Sequence, residues 1–264
     1  MKKEKTISEL INDYESSSCY KLYNFLLRSK YIRYVFEDKF RELLNHINNY
    51  EEETTSKQEK FKYRSLSRTK SRNYLKKFIK YFHNYVAITY SLEGYYGKFF
   101  SSPSYKDIRA EFEKIYCDPL RLFIFAVRNN IIHYTVLPVS ASVHHKKIEA
   151  KEGKILFLTK GGFKIDKLVI LSDHQEAKPI PTKNNQSDSK FLTNDTKRRI
   201  LCSYISKQYK GVLSLDLKKI AIEHYEIFSN HIDAINKNLI EVDKTEYHKI
   251  ENLHKKIVRR QSKL

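Results

Sequence analysis

Apolar positions recur at helical spacing over most of the chain. Residues 6–28 carry Ile7, Leu10, Ile11 and Tyr14, then Tyr20, Leu22, Tyr23, Leu26 and Leu27, which predicts an amphipathic helix broken near Ser16–Ser18. Residues 31–50 repeat the pattern with Ile32, Val35, Phe36, Phe40, Leu43, Leu44 and Ile47, and the EEETTSKQEK that follows predicts a polar, exposed loop. From about Phe61 to Tyr96, residues Tyr74, Phe78, Tyr81, Phe82, Tyr85 and Ile88 fall at steps of three or four, so an aromatic stripe faces inward while Lys and Arg take much of the other face. Gly94 and Gly97 read as the end of that helix, SSPSYKD as a loop, and Ile108–Tyr116 as the next helix. Asp118 is placed to cap a further helix with Pro119 at its first position, and DPLRLFIFAVRNNIIHY runs on to stop before Pro138.

The period then changes. Residues 142–149 (SVHHKKIE), 154–160 (KILFLTK) and 167–171 (KLVIL) are short, β-branched and apolar. KEGK and GGFKID separate them and read as turns, with Gly161-Gly162 as a hairpin turn rather than a phosphate cradle. Residues 172–192, with Pro179 and Pro181, form a polar loop. Helical spacing resumes over 193–209, 215–239 and 245–258, ending in the basic, frayed tail KKIVRRQSKL. The expectation is a mainly α fold, a helical bundle with a small antiparallel β insertion between its later helices. Its parts are N-terminal helices (1–56), core helices (57–140), the β insertion and polar loop (141–192) and closing helices (193–264), together one compact domain.

Composition narrows the class. Only 6 glycines and 5 prolines in 264 residues argue against an all-β fold, and 41% hydrophobic residues suffice for a sizeable core. Lys+Arg is 50 against Asp+Glu 31, a formal charge of +19 that attracts polyanions. Cys19, Cys117 and Cys202 are odd in number and far apart, which suits reduced thiols better than a disulfide framework or zinc knuckle. MKKEKTISELIND lacks the apolar run of a signal peptide, and the densest apolar stretch, Leu122 to Val127, is too short to cross a bilayer. The expectation is a cytoplasmic protein without membrane contact. Walker, GxGxxG and GxSxG motifs are absent, and no cofactor is implied.

One constellation carries chemistry. Arg128-Asn129-Asn130-Ile131-Ile132-His133 places an arginine five positions before a histidine, between LFIFAV and further apolar residues. Arg41 and His46 share the spacing but sit in an ordinary amphipathic surface pattern. An uncompensated charge beside so much apolar sequence is costly and calls for a reason. On one helix Asn129 and His133 share a face, whereas Arg128 and His133 lie about 140° apart and about 7.5 Å along the axis. A long arginine reaching back, a helix ending near His133, or two copies paired about a twofold axis would each bring them together. Histidine suits proton transfer near neutrality, and a planar, permanently charged guanidinium suits phosphate oxygens. Asn129 is placed to orient His133 or bind a phosphate oxygen. The plainer role is structural, with Arg128 capping carbonyls or pairing with an acid and His133 satisfied at a helix end.

The phrase RNNIIHYTVLP resembles the RX4-6H signature of HEPN (higher eukaryotes and prokaryotes nucleotide-binding) domains, and the strands and closing helices after it resemble bacterial members of that group. The resemblance implies a metal-independent endoribonuclease of toxin or antiphage type with Arg128, Asn129 and His133 as catalytic residues, acting as a homodimer. It also implies a controlling partner: an antitoxin, a nucleotidyltransferase or a defence-complex subunit. The N-terminal helices and β insertion depart from a minimal HEPN bundle.

Further residues bear on RNA. Lysines and arginines alternate with aromatics over 57–85, and Arg64, Arg68, Lys70 and Arg72 in RSLSRTKSR read as an exposed basic loop able to hold phosphates. His144 and His145 are adjacent and would point to opposite faces of a strand, while His224 and His231 read as structural. A non-enzymatic function fits the same features: a basic helical adaptor that binds nucleic acid or a partner protein. An enzyme requires Arg128 and His133 to converge on an open, positive cleft; an adaptor leaves them paired off or buried.

Overall fold

A computed structural model of the chain describes residues 5–58, 67–100, 105–116, 118–133, 139–149, 155–166, 194–211 and 214–262. Among these the elements are α1 (Ile7–Glu15), α2 (Tyr20–Thr54), β1 (Ser56–Gln58), α3 (Arg68–Phe99), α4 (Lys106–Tyr116), α5 (Pro119–His133), β2 (Val139–Glu149), β3 (Ile155–Asp166), α6 (Asn194–Gln208), β4 (Ser214–Asp216), α7 (Leu217–Val242) and α8 (Lys244–Gln261). The fold is mainly helical with a small antiparallel sheet.

Thr6 and Glu9 form a reciprocal capping box that starts α1. The break expected near Ser16–Ser18 is present, and Cys19 leads into α2. α2 then runs unbroken through residues 28–31 and joins the two apolar stretches, with the Ser29 hydroxyl satisfied by the Leu26 carbonyl at 2.9 Å. Helix also continues through Glu51–Thr54, where a loop was expected, because Tyr50 and Thr54 are buried under the sheet. Gly94 and Gly97 do not end α3. Each glycine costs a helix about 1 kcal/mol, which burial of Leu92, Tyr96 and Phe100 outweighs.

β3 is the central strand. β2 pairs with it antiparallel from Val139↔Ile165 to Glu149↔Ile155. The other edge of β3 takes β1 at Phe157–Thr159 and β4 at Lys164–Asp166. The predicted turn at Gly161-Gly162 therefore lies inside a strand. A Cβ on Gly161 would stand 2.3 Å from Thr54 Oγ1, and the Gly161 N–H donates to that oxygen at 2.8 Å. Glycine is needed there for the close approach of the strand to the end of α2. Phe163 then stacks on Phe78 at 4.3 Å and joins sheet to helices. The expected strand 167–171, the polar loop 172–192 and Cys117 lie outside the described residues.

One cluster of buried side chains joins α2 through α8 with β2, β3 and β4. The C-terminal segment expected to fray is helical to Gln261. No helix among the described residues is long and apolar enough to cross a membrane.

Candidate active site at the end of α5

The site stands on α5, and the local sequence starts that helix sharply. The Asp118 carboxylate accepts from the Arg121 N–H at 3.0 Å, and Pro119 occupies the first helical position, where no N–H is needed. Every residue from Leu120 to Val127 is then buried, against α3, α4, α6 and α7. The apolar run before Arg128 is consumed by the chain's own core.

The buried charge of α5 belongs to Arg121. Its Nε and Nη2 donate to the two Glu93 carboxylate oxygens at 2.5 and 2.6 Å, and its guanidinium carbon lies 4.8 Å from the Tyr116 ring centroid and 4.5 Å from that of Phe125. Burial pushes the Glu93 carboxyl above its ordinary range, and the bonds from Arg121 oppose that shift. Behind this pair, the Tyr85 hydroxyl bonds His224 Nδ1 at 2.6 Å, and burial, aided by the Arg121 charge, pushes the imidazole down to about 3. His224 and His231 both line a narrow cavity with Arg121 and Asp118. This polar seam was missed from sequence; the one signal was Arg121 standing in an otherwise apolar run. It is closed to substrate and anchors α5 to α3 and α7.

Arg128, the residue immediately after the fully buried segment, differs from Arg121. It is half-buried and has no acidic partner among the described residues. Its Nη1 donates to Asn129 Oδ1 at 3.2 Å, while its Nε is buried without a hydrogen-bond partner. Asn129 is exposed. His133 is the last residue of α5; its side chain lies outside the described residues. The structure thus brings Arg128 and Asn129 together and puts His133 at the helix terminus. With no acidic partner among the described residues and a neutral amide as its contact, the Arg128 guanidinium has donors to offer an incoming anion.

The predicted RNA-binding residues are elsewhere. Arg68, Lys70 and Arg72 are exposed but helical, in the opening turns of α3 behind the Ser67 cap, not in a loop. Ser67 competes effectively for the start of the helix by accepting from the Lys70 N–H. Lys70 is paired with Glu53. Arg64 lies outside the described residues. α3 meets α5 through Tyr90 on Phe125 and Glu93 on Arg121, and Arg72 is about 27 Å along the helix from Tyr90. The structure therefore does not gather this basic patch around Arg128. The other arginine-histidine pair is structural at its histidine: His46 is buried and bonded to the Tyr74 carbonyl oxygen at 2.9 Å. Among the described residues no group of three or more His, Cys, Asp or Glu side chains could hold a metal ion.

Compared with family models, with curated proteins and with solved structures, the chain matches none.

Proposed function

We propose that this protein is a metal-independent endoribonuclease of HEPN type, with Arg128, Asn129 and His133 as its catalytic residues. The observation that carries the reading is Arg128 itself. It is a half-buried guanidinium with an unpartnered Nε and no neutralising acid among the described residues, held by Asn129 five residues before a helix-terminal histidine. A purely structural arginine in such a place is paired off, as Arg121 is by Glu93.

The chemistry assigned to the site is transesterification. The ribose 2′-oxygen attacks phosphorus as its proton leaves to a base, the bond to the 5′-oxygen breaks, and that oxygen takes up a proton. The products are a 2′,3′-cyclic phosphate and a 5′-hydroxyl. His133 moves a proton, and Arg128 stabilises the charge that builds on the phosphoryl oxygens. A homodimer supplies the second proton-transfer group; on α5 its contact falls to residues beyond Val127, since Leu120 to Val127 are buried. An antitoxin or defence-complex subunit is the kind of partner that would hold such an activity in check.

An oligoribonucleotide and its 2′-O-methyl counterpart test the chemistry. Cutting of the first alone, with cyclic phosphate ends, is expected. Cutting of both would assign a different nucleophile and reject the mechanism.

A further inference from the structure

We infer that the groove between the start of α5 and α6 binds single-stranded RNA at a distance from the bond that is cut; this rests on the ribonuclease reading and adds a substrate contact to it. The groove is open to solvent and has a volume of about 530 Å³. Its lining includes Pro119, Ile200 and Tyr204 together with Arg199, Ser203 and Lys207. The last three fall at i, i+4 and i+8 of α6 and so share a helix face. Arg199 and Lys207 are exposed, and neither has an acidic partner among the described residues.

The occupant follows from this chemistry. Two exposed cations about 12 Å apart along a helix, without acidic partners among the described residues, suit successive phosphates of a strand better than one small anion. The aromatic and apolar lining residues Tyr204, Ile200 and Pro119 offer a base a face to stack on. A chain of charge +19 draws in a polyanion. Pro119 and His133 are the two ends of α5, about 21 Å apart, so a strand seated here reaches the catalytic end several nucleotides further on.

The test is fluorescence anisotropy with a labelled 2′-O-methyl oligouridylate, which binds without being cut, at several salt concentrations. Arg199→Ala/Lys207→Ala is compared with wild type and with Lys237→Ala/Lys256→Ala, which removes the same charge from α7 and α8. The groove variant is expected to bind about tenfold or more weakly, with a salt slope smaller by about 1.4, while the control binds as wild type does. Equal binding by all three overturns the groove, and so does an equal loss in both variants, which would be bulk charge. A lower solution mass for the groove variant alone would make the groove a contact between copies and also overturn it. RNA cleavage by wild type, run alongside, separates the two readings: cleavage with unaltered binding rejects only the groove, and binding at the groove without cleavage rejects only the enzyme.

Discussion

Glu93 on α3 accepts two hydrogen bonds from the Arg121 guanidinium on α5, and both side chains are almost fully buried, at 2% and 8% exposure. This pair sets how α5 lies on α3, and through it where Arg128 emerges. Removing one partner strands the other charge in the core, at a cost of about 3–5 kcal/mol. Glu93→Ala should lower stability by that amount in urea unfolding, and Glu93→Met/Arg121→Met should recover most of it. A loss under about 1 kcal/mol in the single variant would mean that the pair does not hold the helices together.

The buried His224 makes stability depend on pH. In the unfolded chain it takes up a proton near pH 6.5; in the folded chain burial delays this to about 3. Its contribution is whole above about 6.5 and is lost as pH falls toward 3, by about 1.4 kcal/mol per pH unit. His46, also pushed down by burial, acts in the same direction. Unfolding free energies at pH 7, 6 and 5 should fall less steeply in His224→Gln, whose amide can still accept from Tyr85. Parallel slopes for variant and wild type would contradict this.

Gly161→Ala should destabilise by about 1–3 kcal/mol, since its Cβ would meet Thr54 Oγ1 at 2.3 Å and Tyr50 Cε1 at 2.8 Å. Thr54→Val should cost about as much, by leaving the buried Gly161 N–H without its acceptor. Thermal unfolding measures both. An unchanged midpoint for Gly161→Ala would show that β3 does not approach α2 so closely.

Asp118→Ala removes the cap of α5 and should cost about 1 kcal/mol in the same assay. Asp118→Asn, which keeps a side-chain oxygen, should lose less. Equal losses would show that charge, not the hydrogen bond, starts the helix.

Much of the helical scaffold could be read from the sequence, because stripes such as Tyr74–Phe78–Tyr81–Phe82–Tyr85 express burial directly. So could the start of α5, where Asp118 and Pro119 act locally. Lengths were harder. Helix through Glu51–Thr54 and through Gly94 depends on what those turns bury, and local propensity is too weak to reveal that. Gly161-Gly162 was misread because the reason for glycine lies on Thr54, more than a hundred positions away. The pairing of Arg121 with Glu93 joins two helices and leaves no mark in either segment alone. At the candidate site, the Arg128–Asn129 contact follows from adjacency, whereas the lack of an acidic partner for Arg128 among the described residues could be known only once those surroundings were in place.

The central claim is tested most directly by incubating the purified protein with RNA in EDTA, beside Arg128→Ala and His133→Ala of confirmed folding. Cleavage by wild type is expected, with losses of about 100-fold or more in each variant, the size typical of removing a group that stabilises a transition state. Full cleavage by either folded variant, or none by wild type, would contradict the assignment of this site.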